Sequence, residues 1–190
     1  MMPSARPFLF AGLLPLCMFI CWAFPATACP QSFSLDQILR DGAFGSQLPI
    51  ESQLVRIYGE GCVKQPYREE RLRTYFDASA RLWLRCKVAA NETPIQPINE
   101  VLVSSVPLCD KKVPPNTAFR GPIFGNLRIG DSFHRAIAML GNPSRSAKAS
   151  LNGVQIDRYD YIGSSSEPGT IITFYARSDV IVGFSISNPE

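Results

Sequence analysis

The sequence has few of the residues from which catalytic and metal sites are built. It contains one histidine, His134, in 190 residues, and its cysteines form no CxxC pair, so a structural zinc site is not expected. It has no G-x-S-x-G segment and no glycine-rich loop with phosphate-binding spacing and a following lysine. The formal net charge is only +3, which does not indicate a nucleic-acid partner. We therefore expect no metal, no cofactor and no nucleic acid.

One residue keeps an enzymatic alternative open. His134 would act as a general base with Asp131 or with a serine, which is the basis for an uncharacterised hydrolase as an alternative function. Asp157 and Asp160 could in principle form a catalytic pair of acids. Residues three apart on a strand, however, point to opposite faces. We predict a protein that is not an enzyme and has no catalytic residues.

Residues 1–28 have the pattern of a secretory signal peptide. Arg6 precedes an apolar run over residues 7–24, and Ala26-Thr27-Ala28 forms a small-residue cleavage site. The apolar run is long enough for a membrane span, so an uncleaved N-terminal anchor is the alternative. The cleavage site favours removal of the segment. We predict a periplasmic or secreted protein whose mature chain begins at Cys29.

Four cysteines lie in the predicted mature chain, Cys29, Cys62, Cys86 and Cys109. Four cysteines in an exported chain indicate two disulfides, for which three pairings exist. Cys62 should follow a helix and Cys86 should end a strand that returns toward it, which favours the pairs Cys62–Cys86 and Cys29–Cys109. Acylation of Cys29 is the rival use of that residue. Membrane association is expected only with such a lipid or with an uncleaved signal.

An internal duplication is the most informative feature of the chain. The segment 44–50 recurs, with one residue deleted, as 124–129. Each copy leads into a short amphipathic segment that stops at a glycine, Gly59 in the first and Gly141 in the second. The copies are about 80 residues apart. This spacing predicts a first repeat over 29–109, a charged and proline-rich linker over 110–122, and a second repeat over 123–190.

Each repeat has the pattern of short helices followed by an antiparallel meander. The predicted helices are a short segment from a cap at Ser34 to Arg40, about 51–58, and a segment from the cap pair Asp131-Ser132 to Leu140. The predicted strands are 71–76, 82–88 and 98–105, then 155–162, 170–177 and 180–187. The stretch around Gly61, Cys62 and Pro66 is expected to be a loop. The fold class is α+β, with two tandem repeats that each pack short helices on one face of a three- to four-stranded antiparallel sheet.

The second repeat resembles a known family. Leu127-x-Ile129-Gly130-x-Ser132, a short helix, Leu140-Gly141-Asn142-Pro143 and Tyr159-x-Tyr161 are similar to segments of the BamE/SmpA outer-membrane lipoproteins and the β-lactamase-inhibitor-protein-like fold. The tandem arrangement is closer to the inhibitor proteins, which carry two such repeats. The resemblance implies helices packed on an antiparallel sheet and non-catalytic recognition of another protein. No contact residue of either family is transferred to this chain.

Strand alternation predicts a surface rich in aromatic and basic residues. Arginine, tryptophan and tyrosine dominate the energetics of protein interfaces, and arginine grips carboxylates through two hydrogen bonds. The predicted binding surface on the uncovered sheet faces comprises Arg71, Arg73, Tyr75, Trp83, Arg85, Lys87, Tyr159, Tyr161, Tyr175 and Arg177. The alternatives are a solvated basic face and two repeats that bury these faces against each other.

These patterns predict a non-catalytic exported protein-binding module whose partner is a protein with an acidic patch. Its concrete forms are an inhibitor of an enzyme or toxin and an envelope-assembly factor. The alternative of another class is a lipid-anchored structural component of the outer membrane.

Overall fold

A computed structural model describes residues 34–45, 48–90, 95–110, 123–163 and 169–188. All of them fall within one unit of the chain, Ser32–Glu190. The predicted signal peptide, Cys29 and the linker residues 111–122 lie outside the described residues.

The described residues form three short helices and one eight-stranded sheet. The helices are α1 (Leu35–Asp41), α2 (Glu51–Tyr58) and α3 (Phe133–Leu140). The strands are β1 (Cys62–Tyr67), β2 (Glu70–Asp77), β3 (Leu82–Ala89), β4 (Ile98–Ser104), β5 (Arg145–Leu151), β6 (Val154–Ile162), β7 (Ile171–Arg177) and β8 (Val180–Ser187). In this part of the chain, no helix has the length and apolar character needed to cross a bilayer.

The strand order is β1-β2-β3-β4-β8-β7-β6-β5, and every neighbouring pair is antiparallel. The sheet therefore consists of two four-stranded halves, β1–β4 and β5–β8, each preceded by one of the helices α2 and α3. The halves join through their last strands, where Leu102 of β4 pairs with Ser185 of β8. The predicted α+β class with two repeats is confirmed, and the two repeats share one continuous sheet.

The duplication extends to individual hydrogen bonds. The Tyr75 hydroxyl of β2 donates to the Gly59 carbonyl at the end of α2, at 2.9 Å. The Tyr161 hydroxyl of β6 donates to the Gly141 carbonyl at the end of α3, at 3.1 Å. Both glycines have positive φ, 77° and 80°, a conformation that side chains with a Cβ rarely adopt. Each repeat thus ties the end of its helix to a strand in the same way.

The helices begin and end at the residues that their sequences predict. The Ser34 hydroxyl accepts from the Gln37 amide at 3.3 Å, and the Ser132 hydroxyl accepts from the His134 amide at 3.2 Å. These bonds satisfy amide donors that have no partner inside a helix. Gly42 ends α1 in the left-handed region with φ 68°. A Cβ at Gly42 would lie 2.4 Å from the Phe124 ring, so glycine also permits close packing at this contact.

One face of the sheet, the covered face, carries all three helices. The buried apolar side chains of α1, α2 and α3 belong to one core cluster together with side chains from β2, β3, β4, β6, β7 and β8. In the second repeat, the Phe133 ring of α3 stacks on Tyr159 of β6 with centroids 3.9 Å apart. Burial of these faces is the main stabilising contribution, at about 25 cal/mol for each Å² of apolar surface.

The two edge strands β1 and β5 are not among the predicted strands. The loop expected around Gly61, Cys62 and Pro66 is wrong, because Cys62–Tyr67 is β1. Both strands are mostly exposed on both faces, so neither shows the alternation of apolar and polar residues by which a half-buried strand is recognised.

The predicted pairing of cysteines also needs correction. Cys62 is joined to Cys109, and Cys86 is a free, buried thiol. Cys62 pairs with Thr74 in β2, which in turn pairs with Arg85 in β3. Cys86 is therefore two strands away, about 10 Å, and on the opposite face, which is too far for a disulfide. A disulfide of this kind is typical of proteins outside the reducing cytoplasm.

Candidate protein-binding surface

The register of β2 and β3 divides the predicted surface residues of the first repeat between two faces. Trp83, Arg85 and Lys87 alternate with buried residues of β3 that contact the helices. They therefore lie on the other face of the sheet, the helix-free face, as predicted. Cross-strand pairing on this face continues from one strand to the next through Thr74, Arg85, Leu102, Ser185 and Thr173.

The predicted outward direction of Arg71, Arg73 and Tyr75 is wrong. These residues pair with Val88, Cys86 and Leu84, all of which are buried in the core of the covered face. Tyr75 is 3% exposed and Arg73 is 8% exposed. The predicted alternation of β2 has the wrong phase, because two arginines in a strand are typical of a solvated face and here they lie on the covered face.

Those partners come from α2 and the turn that follows it. Arg73 Nε lies 2.5 Å from Glu51 Oε1, and Arg73 Nη1 lies 2.8 Å from Glu60 Oε2. Arg71 Nη1 lies 2.7 Å from the other Glu51 oxygen. Burial lowers the pKa of Arg73, but the hydrogen bonds to Glu51 and Glu60 outweigh burial and raise it. The paired charges attach α2 to β2. The open cleft beside them, about 420 Å³, is lined by Glu51, Glu60 and Arg73 together with Arg56 and Gln96.

Two of the four second-repeat residues of the predicted surface, Tyr161 and Tyr175, are also buried. Tyr159 packs on Phe133, and Tyr161 is 1% exposed on the covered face, so their prediction as surface residues is wrong. Tyr175 lies on the helix-free face but is only 8% exposed. Burial raises the pKa of its hydroxyl, and Glu100 adds to this effect. Arg177, at the end of β7, is exposed as predicted.

A second apolar cluster covers the middle of the helix-free face. It contains Leu102, Val106, Leu108, Leu151, Ile156 and Tyr175, with Trp83 packed against it. Its members come from both halves of the sheet and from the segment 105–109 that follows β4. The two repeats therefore bury part of this face against each other, which was the alternative to a free surface.

The segment after β4 also joins the two edges of the sheet. Cys109 is bonded to Cys62 of β1. Asp110 accepts hydrogen bonds from Lys64 Nζ of β1, at 3.3 Å, and from Asn152 Nδ2 in the β5–β6 turn, at 2.9 Å. Because β1 and β5 are the outermost strands, these contacts mean that the sheet curves and its helix-free face is concave. No pattern in the sequence of residues 105–110 predicts that this segment contacts both edges of the sheet.

Beside the second apolar cluster, one strip of the helix-free face stays partly exposed. We define the β3 strip as Trp83, Arg85 and Lys87. The Trp83 ring packs on Phe76 with centroids 4.9 Å apart. Lys87 Nζ lies 2.7 Å from Glu70 Oε2, so this cation is well paired.

Arg85 is the least satisfied cation of the β3 strip. Its Nη2 lies 3.6 Å from Glu100 Oε1, which is beyond a good hydrogen-bond distance. Its buried Nε has no hydrogen-bond partner in the described part of the chain. About a quarter of the side chain, 24%, is exposed. The buried Nε is out of reach of another molecule, but the exposed part of the Arg85 side chain can meet a further carboxylate.

The residues around His134 form a clamp between α3 and the β7–β8 turn. His134 Nδ1 lies 2.8 Å from Asp179 Oδ1, and the Ser132 hydroxyl donates to Asp179 Oδ2 at 2.6 Å. The hydroxyl therefore bonds to the carboxylate and not to the imidazole, which is not the contact of a nucleophile with its base. The hydrogen bonds from Ser132 and His134 lower the pKa of Asp179.

The two acids of β6 are separated as predicted. Asp157 pairs in register with Ala176 and Asp160 pairs with Thr173, so the two carboxylates lie on opposite faces. Asp157 binds Lys148, whereas Asp160 accepts from Arg158 and Thr173. Across residues 34–45, 48–90, 95–110, 123–163 and 169–188 there is no group of three or more His, Cys, Asp or Glu side chains placed to hold a metal ion.

The resemblance to the BamE/SmpA lipoproteins and the β-lactamase-inhibitor-like fold stays a prediction. No protein-family model, curated protein or solved structure matches this chain.

Proposed function

We propose that this protein is a non-catalytic, exported protein-binding module that recognises an acidic segment of its partner through the β3 strip. The observation that carries the proposal is Arg85, whose ion pair with Glu100 is 3.6 Å long and whose side chain is 24% exposed, beside the partly exposed Trp83. An aromatic anchor next to an arginine with spare donors is a typical centre of a protein interface.

Two further observations support this proposal. The helices all pack on the covered face, so a partner can reach the β3 strip without displacing a helix. The Cys62–Cys109 disulfide agrees with a periplasmic or secreted location. Inhibition of an enzyme or toxin and envelope assembly would both use the β3 strip, and they differ only in the identity of the partner protein.

The test is affinity capture from the envelope and medium of the native organism with two matched double variants. Trp83→Ala/Arg85→Ala removes the anchor and the cation of the β3 strip. The control, Tyr67→Ala/Arg56→Ala, likewise removes one aromatic side chain and one arginine, from exposed positions on β1 and α2. We expect one partner to be retained by the wild type and by the control, and its affinity for the strip variant to fall about 100-fold.

The salt dependence of binding separates the proposed mechanism from a purely apolar contact. With an acidic partner, affinity should fall as ionic strength rises, and Arg85→Lys should bind less tightly because lysine cannot make the paired hydrogen bonds of a guanidinium. A partner that binds both double variants equally would exclude the β3 strip. Recovery of an enzymatic activity that His134→Ala abolishes in a folded protein would overturn the non-catalytic proposal.

A further inference from the structure

β5 is an edge strand whose outer side faces no described strand. It pairs with β6 along its whole length, from Arg145 with Asp160 to Leu151 with Val154, without a bulge. Its residues are exposed except Ala149 and Leu151, which join the second apolar cluster. A straight edge of seven residues presents a row of main-chain donors and acceptors to another chain.

The turn after β5 determines which amides point outward. Asn152 and Gly153 form a two-residue hairpin loop, and both have positive φ, 46° and 85°, as in a type I′ turn. The flanking pair, Leu151 and Val154, is then hydrogen-bonded across the hairpin. Because bonded and non-bonded pairs alternate in an antiparallel ladder, the main-chain groups of residues 146, 148 and 150 point away from β6.

The opposite edge of the sheet is protected in ways that β5 is not. β1 contains Pro66, which has no amide hydrogen, and its register shifts between Lys64 and Tyr67. Proline and irregular register are common means of preventing unwanted strand pairing. The sequence of β5 has no proline and its register is continuous.

The charges of β5 select the chain that can pair with it. Its charged residues are Arg145 and Lys148, and it has no acidic residue. Two β5 strands paired about their centre would place Lys148 opposite its own copy, and like charges that face each other across a sheet are destabilising. Lys148 is already paired with Asp157 of β6, but its side chain is 79% exposed, so a partner carboxylate opposite it can share the cation. The small side chains Ser146, Ala147 and Ser150 leave the backbone accessible to an approaching strand.

We propose that β5 is a docking edge at which an extended acidic segment of a partner protein adds to the sheet as an antiparallel strand. Main-chain hydrogen bonds to Ser146, Lys148 and Ser150 supply the attachment, and Lys148 supplies the preference for acid. This edge is separate from the β3 strip, so either surface can bind when the other does not.

The first test uses a capped heptapeptide in which threonine and valine alternate on either side of a central glutamate. The peptide is added to the ¹⁵N-labelled protein, and hydrogen exchange is measured at each amide by NMR. We expect the amides of Ser146, Lys148 and Ser150 to become protected, whereas those of Ala147 and Ala149 are already protected by β6. A peptide with lysine in place of the glutamate should bind at least 10-fold more weakly.

Variants of β5 test the main-chain contacts. Lys148→Pro and, as a second variant, Ser146→Pro remove an outward amide without removing a bond to β6, and both should abolish peptide binding in protein that is folded by circular dichroism. Lys148→Ala keeps the amide and should bind with reduced affinity. Trp83→Ala/Arg85→Ala should bind this peptide as the wild type does, because it alters the other surface.

Three results would overturn the proposal. The first is no protection in β5 at millimolar peptide. The second is loss of peptide binding in the Trp83→Ala/Arg85→Ala variant, which would place the peptide on the β3 strip. The third is protection of the outward β5 amides that grows with protein concentration in the absence of peptide, which would make a second copy of the chain the occupant of the edge.

Discussion

Glu51 of α2 and Arg73 of β2 form an ion pair that is buried beneath the helix, with Nε and Oε1 2.5 Å apart. Their side chains are only 9% and 10% exposed. The pair joins residues 22 positions apart and explains why a strand with two arginines turns that side toward the core. A buried ion pair is costly to break from one side, because the remaining charge loses its partner without regaining water.

Loss of one member of this pair should destabilise the fold. We expect Arg73→Ala to lower the free energy of unfolding by about 3 kcal/mol, since Glu51 is left buried beside one cation fewer. Arg71→Ala is the matched control, because Arg71 is more exposed, and it should cost about 1 kcal/mol. Urea unfolding followed by circular dichroism measures both. Equal losses for the two variants would contradict the role assigned to Arg73.

Removal of the disulfide should act through the unfolded chain. Cys62 and Cys109 are 47 residues apart, and closure of a loop of this length is worth about 4 kcal/mol in the chain-entropy description. Cys62→Ser/Cys109→Ser should lower the free energy of unfolding by about this amount under oxidising conditions. In reductant, the wild type and the double variant should coincide. A difference that persists in reductant would show that the serines disturb the native packing.

The Cys86 thiol should be chemically inert in the native protein. The residue is fully buried in β3, and burial raises the pKa of its thiol, with a further contribution from Glu100. We expect iodoacetamide at pH 8 to label Cys86 only after unfolding, as read by mass spectrometry of its peptide. Labelling of Cys86 in the folded protein would contradict both its burial and the cysteine pairing described above.

The Asp110 carboxylate should titrate below the usual range for aspartate. Hydrogen bonds from Asn152 and Lys64 lower the pKa of Asp110. A lowered native pKa gives stability that is present above the unfolded value, about 3.9, and is lost as pH falls through the native value. NMR titration of the carboxyl carbon should show this, and Asn152→Ala should raise the pKa toward the ordinary value. An unchanged titration in that variant would exclude the contact with the β5–β6 turn.

The parts of the fold that were predictable from the sequence are those with strong local signals. Ser34 and Ser132 begin helices because their hydroxyls satisfy free amides, and Gly42 ends α1 because it tolerates positive φ. The six strands other than β1 and β5 are predictable because each is rich in apolar and β-branched residues or alternates in polarity, although the arginines of β2 suggest the wrong phase. β5 has small polar residues instead, and its one local signal was the Asn152-Gly153 turn.

The candidate site was only partly predictable, because it depends on residues far apart in the chain. The phase of β2 follows from Glu51, and nothing near Arg73 in the sequence identifies this partner. The burial of Tyr175 follows from the segment after β4, which contributes Val106 and Leu108. Trp83, Arg85 and Lys87 were placed correctly because β3 has an unambiguous apolar face.

The pairing of β4 with β8 has a consequence for how the chain folds. These strands lie at the centre of the sheet, yet β8 is the last of the described strands in the sequence. Until it is synthesised, β4 has β3 on one side and an open flank on the other. Long-range pairing of this kind slows folding and leaves an incomplete sheet open to association with other chains. Both cysteines of the bridge belong to the first repeat. Formation of the disulfide can therefore stabilise β1–β4 before β8 is available to pair with β4.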